Sequence, residues 1–161
     1  MSNKQEEQMG TARIMATEKM YERPLPHNYE AERLVLGAML VDPDAFDEAT
    51  NVVDETDFFR VAHQYLFETM VDVLPSIGKD AGRELHLKAM EAALREAGYL
   101  DAVGGVAYME MLVADLPNTT HVTHYARIVK EKSTLRELIY SAGRILSAAY
   151  VDLNEKEPDT H

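Results

Sequence analysis

The sequence predicts an all-α fold, and three observations carry this prediction. Apolar residues recur every three to four positions in several separate segments, which is the spacing of one helix face. Proline, glycine and capping residues bound those segments. No segment alternates between apolar and polar residues with the period of two that is typical of strands. We therefore expect a compact head of about five helices, followed at the C-terminal end by a long helix or a helical hairpin.

The five helices of the head follow from their start and stop residues. Asn28 precedes a helix that extends to Leu40, since its side-chain oxygen can accept from a free NH group of the first turn. Asp42 and Pro43 begin the second helix, as a cap followed by proline at the first helical position. The third helix ends at Pro75 and the fourth ends at Gly98. The fifth begins at Gly104-Gly105 and ends at Pro117.

The last segment carries the clearest periodic pattern. Its positions return at alternating steps of four and three, which is typical of helices that pack along their length. They are His121, Tyr125, Ile128, Lys132, Leu135, Ile139, Ala142, Leu146 and Ala149. Unbroken, this helix would be about 45–50 Å long. A capping-box pattern from Thr134 to Glu137 leaves open a second possibility, a break near Ser133. Gly143 indicates either a weak point or the close approach of a partner backbone.

Length and composition set limits on the class of protein. The 161 residues suit one ordinary domain, which we place at residues 23–151, with a disordered tail at 1–22 and a linker or tail at 152–161. The net charge of −12 predicts little direct DNA binding, because phosphates are bound by Lys and Arg. The acidity serves either solubility or attraction of a basic partner. The absence of cysteine suits a cytoplasmic location, and we expect neither a secretory signal nor a membrane span.

No catalytic, cofactor-binding or metal-binding residues are predicted. The only Gly-Lys pair is followed by Asp80, which does not suit a phosphate-binding loop, so we expect a chain without ATPase activity. His121 and His124 are interpreted as a solvated helix start. We expect His63 to be hydrogen-bonded within a helix and His86 to lie on the surface.

Four blocks of the sequence resemble one known family. Residues 26–40, PHNYEAERLVLGAML, are similar to the opening of the N-terminal domain of DnaB-type replicative DNA helicases. The order of the later blocks also matches: DFF at 57–59 with His63, LDAVGG at 100–105 with Tyr108, and YARIVKEK at 125–132. The chain departs from the family at residues 76–86, where its loop is longer and His86 stands where an aspartate is common.

The resemblance implies a non-catalytic collar domain that joins helicase subunits. In the family such domains pair through a helical hairpin, form part of a ring, and dock primase through its C-terminal domain and in some systems a helicase loader. The ATP and Mg²⁺ sites belong to a separate motor domain. The residues we predict for subunit or primase contact are Tyr125, Ile128, Leu135, Arg136, Ile139 and Ile145. The alternative is a free-standing regulator of phage or plasmid type that binds a resident helicase.

Overall fold

The computed structural model describes residues 3–156, with side chains through residue 152. This range contains seven α-helices and no strand. They are α1 (Asn3–Tyr21), α2 (Tyr29–Val41), α3 (Pro43–Thr50), α4 (Val61–Val73), α5 (Arg83–Ala97), α6 (Gly105–Ala114) and α7 (Val122–Lys156). The predicted all-α class is confirmed, and α2 to α6 are the five expected helices of the head.

The chain divides into two compact units. The head unit comprises residues 27–133, and the terminal unit comprises, among the described residues, 3–26 together with 134–156. The boundary falls inside α7, which contributes its first part to the head unit and its second part to the terminal unit. The sequence instead predicts a single domain over residues 23–151.

Helix α2 is the centre of the head unit. It contacts α3, α4, α5 and α6, and every residue from Val35 to Leu40 is buried. An uninterrupted buried run is expected for a helix that is surrounded by neighbours rather than packed on one side. Asn28 begins this helix as predicted, since its Oδ1 accepts from the Ala31 amide at 2.9 Å.

Asp42 joins the end of α2 to the start of α3. Its side chain accepts from the Asp44 amide at 2.9 Å and from the Thr119 hydroxyl at 2.6 Å. The hydrogen bond from Thr119 is the main cause that lowers the pKa of the Asp42 carboxyl below its ordinary value, and the backbone amides of α3 act in the same direction. One carboxylate thus caps α3 and also attaches the segment that leads into α7.

The structure tests three expectations at the chain ends. Residues 3–21, predicted as a disordered tail, form α1, because their Ala, Glu, Gln, Lys and Met residues are good helix formers. Of the two alternatives for the last segment, the structure shows the long helix and not a break near Ser133, since α7 is continuous over 35 residues, about 52 Å. It also includes residues 152–156, which the sequence assigns to a linker; residues 157–161 lie outside the described part.

Two further differences concern packing in the head unit. In the head unit, the buried side chains of α7 are Val122, Ala126, Val129 and Ser133, each one position after a residue of the predicted stripe. His86, predicted on the surface, is 6% exposed, and its Nδ1 lies 2.9 Å from the Leu40 carbonyl oxygen. The end of α2 would otherwise leave that carbonyl without a partner. Within the described residues, no helix is both long and apolar enough to cross a membrane.

Candidate protein-interface site

One side of α7 in the terminal unit is occupied by the chain itself. Arg136 is 6% exposed and donates from a guanidinium nitrogen to the Pro26 carbonyl oxygen at 2.8 Å. The Arg13 guanidinium of α1 lies 3.6 Å from the centre of the Tyr140 ring, close enough for a cation–π interaction. Burial raises the pKa of the Tyr140 hydroxyl, with Arg13 opposing that shift, so the phenol stays neutral near pH 7. This side of α7 is therefore engaged internally.

A second, adjacent side of the same helix is apolar and exposed. We call it the open stripe and define it by Leu135, Leu138, Ala142, Ile145, Leu146 and Ala149. The side chains of Leu138 and Ile145 are 64% and 71% exposed, and that of Leu146 is 48% exposed. Contiguous apolar surface of this kind on a water-facing helix is typical of a protein–protein contact.

The open stripe has the spacing of a helix–helix seam. From Leu135 the steps to Leu138, Ala142, Ile145 and Ala149 are three, four, three and four. This is the heptad repeat that keeps one edge facing a partner helix along its length. From Leu138 to Ala149 large and small side chains alternate along this seam, which suits interdigitation with a second helix.

The six predicted interface residues do not share one surface. Leu135 and Ile145 lie in the open stripe, and Ile139 lies beside it, next to Thr17 and Tyr21 of α1. Arg136 is held by Pro26, which removes it as an anchor for another chain. Tyr125 and Ile128, in the head unit, are half-buried against the hydrophobic core. Leu138 is the exposed residue missing from the predicted set, although the heptad spacing from Leu135 indicates it.

The head unit contains a separate buried polar network around His63. Its Nδ1 lies 2.8 Å from Glu32 Oε1, and its Nε2 lies 2.8 Å from the Tyr108 hydroxyl oxygen. Glu32 Oε2 accepts from the Phe59 amide at 3.0 Å. A guanidinium nitrogen of Arg60 donates to the Tyr108 oxygen at 3.3 Å. The prediction that His63 is hydrogen-bonded within a helix is confirmed.

This network connects three packed helices of the head unit, α2, α4 and α6. Burial raises the pKa of the Tyr108 hydroxyl, although Arg60 and Arg33 oppose that shift, so the group keeps its proton near pH 7. The two ring nitrogens of His63 each have one partner, the Glu32 carboxylate at Nδ1 and the Tyr108 hydroxyl at Nε2. Every group then has a partner. The described residues also contain no cluster of three or more His, Asp or Glu that would hold a metal ion.

Comparisons with known proteins agree with this architecture. The model of the DnaB-like helicase N-terminal domain family matches residues 24–131. The chain belongs to this family. It is 38% identical over 139 residues to replicative DNA helicase DnaB of Geobacillus stearothermophilus, covering 86% of this chain and 30% of that protein. It is 33% identical over 141 residues to replicative DNA helicase DnaC of Bacillus subtilis (strain 168), covering 88% of this chain and 30% of the relative.

A solved structure shows the same fold. The crystal structure of the N-terminal domain of DnaB helicase from Mycobacterium tuberculosis matches with a TM-score of 0.72 and 31% identity, over 80% of this chain and 89% of that one. This DnaB-like domain spans about 30% of the length of the curated relatives it matches. The family match ends at residue 131, so the open stripe lies outside the matched segment.

Proposed function

We propose that this chain is the non-catalytic collar domain of a replicative DNA helicase, which joins subunits through α7. Family membership supports the helicase context. The observation that carries the subunit contact is the open stripe, which leaves Leu138 and Ile145 largely exposed at heptad spacing. Covering such a side chain with a partner is worth about 1.5–3 kcal/mol.

The occupant we propose for the open stripe is the same stripe of a second copy. A heptad edge is self-complementary, because a two-fold axis lets each large side chain meet the small ones of its partner. The stripe residues carry no charge, so two acidic chains can meet there without placing like charges in direct contact. In a complete helicase, pairs of this kind would form part of the ring.

Ile145→Asp should weaken self-association about a hundredfold, because a carboxylate buried in an apolar contact loses its hydration without a partner. The matched control is Val151→Asp. Val151 is also β-branched and 56% exposed, but six residues along a helix rotate its side chain by about 120° from that of Ile145. Sedimentation equilibrium across a concentration series measures the dimer constant of each variant. Equal weakening by both substitutions, or a monomeric parent chain at millimolar concentration, would contradict the proposal.

We further propose that this domain docks the C-terminal domain of primase, and in some systems a helicase loader. The support is the family resemblance. If docking uses the paired open stripes, Leu138→Asp should reduce the affinity for the primase C-terminal domain at least tenfold in isothermal titration calorimetry. Val151→Asp should leave that affinity unchanged. If a Leu138→Asp chain that is shown to be monomeric bound the primase C-terminal domain with full affinity, primase docking would not depend on the open stripe.

A further inference from the structure

A small pocket in the head unit is not used by the function proposed above. It lies between α3, the end of α4 and the loop that precedes α5, and its volume is about 220 Å³. Met39, Phe46, Leu74 and Ile77 give it an apolar lining, and the buried ring of His86 forms part of its wall. We call it the loop pocket. None of the open-stripe residues belongs to it.

The size of the loop pocket fits one side chain rather than a cofactor. Sites for drug-sized ligands are about 300–1,000 Å³, which exceeds the volume here. The lining has no unpaired buried polar atom, since no such side-chain atom occurs in the described part of the chain. An apolar ligand therefore suits the interior, and an aliphatic side chain such as leucine has the appropriate volume.

The mouth of the pocket favours a cation. Helix α3 carries three carboxylates and no Lys or Arg. The charged lining residues are Asp47 and Lys79, and the segments that carry them, residues 42–50 and 79–84, contain six acidic residues and two basic ones. These residues are Asp42, Asp44, Asp47, Glu48, Asp80 and Glu84, with Lys79 and Arg83.

The chain itself places an ammonium group at this mouth. Lys79 Nζ lies 3.4 Å from Asp47 Oδ2, and both side chains line the pocket while remaining mostly exposed, at 73% and 60%. The loop that carries Lys79 includes Gly78 and Gly82, and the space where a Cβ of either would lie is open. Such a lightly packed loop lets another ammonium replace Lys79 at little cost, since an exposed pair contributes at most about 1 kcal/mol.

We propose that the loop pocket binds one aliphatic side chain of a lysine-rich segment of a partner protein, with Asp47 receiving the neighbouring ammonium group. The apolar lining selects the side chain, and the acidic mouth selects the charge around it. Lys79 competes with the ligand for Asp47 and so lowers its affinity. A second copy of this chain is a poor occupant, because its net charge is −12.

The test titrates the full chain with an end-blocked peptide, Lys-Lys-Leu-Lys-Lys, and measures binding by methyl NMR. We expect the methyl signals of Ile77, Leu74 and Met39 to shift with a dissociation constant of about 1 mM. Replacing the leucine of the peptide by serine should weaken binding about tenfold or more, because the buried apolar contact is lost. Replacing its four lysines by glutamate should abolish binding.

Two surface variants test the part played by charge without disturbing the core. Asp47→Asn should weaken binding of the lysine peptide about two- to fivefold, and Lys79→Ala should strengthen it by a similar factor. Asp101→Asn, another exposed carboxylate of the head unit, is the matched control and should change nothing. Three results would overturn the proposal. The serine peptide could bind as tightly as the leucine peptide, or neither pocket variant could change the affinity for the lysine peptide. The pocket signals could also shift with protein concentration when no peptide is present. Each result is independent of the Ile145→Asp experiment, which concerns the open stripe alone.

Discussion

Glu32→Ala should lower the free energy of unfolding by about 3–5 kcal/mol, as expected when one partner of a buried charged network is removed. The carboxylate is 1% exposed and accepts from the Phe59 amide, the Arg60 amide and His63 Nδ1 at 3.0, 3.3 and 2.8 Å. Alanine offers no acceptor, so these donors lose their partner away from water. Urea unfolding followed by circular dichroism measures the change.

Two further variants make the interpretation of that loss specific. Glu68→Ala removes an exposed glutamate from α4 and should change stability by no more than about 0.5 kcal/mol. Glu32→Gln keeps one acceptor oxygen but brings an NH₂ group toward existing donors, so its loss should fall between those of the two alanine variants. A loss below about 1 kcal/mol for Glu32→Ala would show that the network does not stabilise the head.

The network brings together residues from separate family-like blocks, and the contact between these blocks is not apparent from the sequence. Glu32, His63 and Tyr108 come from three of the four matching blocks and meet in one cluster. Asp57 of the second block also receives Lys130 of the fourth, with Nζ–Oδ2 at 3.1 Å. Helix periodicity identifies each block separately, but contacts that join residues 31 to 73 positions apart are set by packing.

Local signals predicted the helix starts well because they act over a few residues. Asn28 and Asp42 accept backbone NH groups two or three positions ahead, so sequence spacing is enough to place them. His86 shows the limit of this approach. Its partner, the Leu40 carbonyl, lies 46 positions away in the chain, and a histidine among polar neighbours is predicted to be exposed.

The sequence pattern of α7 does not distinguish its buried line from the neighbouring stripe, because the helix carries two apolar sides. In the head unit, small residues such as Ala126 and Ser133 face inward, whereas Tyr125 and Ile128 flank the buried line. Both lines have helical spacing, and the sequence pattern alone does not separate them. Helix α1 was missed for a related reason: it has no buried residue, and so no apolar stripe marks it.

Gly37→Ala should lower the free energy of unfolding of the head unit by about 2–3 kcal/mol. Replacing glycine by alanine inside a helix usually raises this free energy by about 1 kcal/mol instead. A Cβ at Gly37 would lie 2.5 Å from the Leu112 carbonyl oxygen and 3.2 Å from its carbon. These are backbone atoms of α6, which cannot rotate away, so α2 and α6 must separate. The glycine of the family-like segment 26–40 thus sets the distance between two core helices.

Gly143→Ala is the matched control within α7. There a new Cβ would meet only the Tyr21 hydroxyl, at 4.0 Å, which is ordinary contact. This substitution should therefore raise the free energy of unfolding by about 0.5–1 kcal/mol, because alanine loses less backbone entropy on folding. Thermal and urea unfolding of both variants give the comparison. If the two alanines changed stability in the same direction, the close approach of α2 to α6 would not be the reason for glycine at position 37.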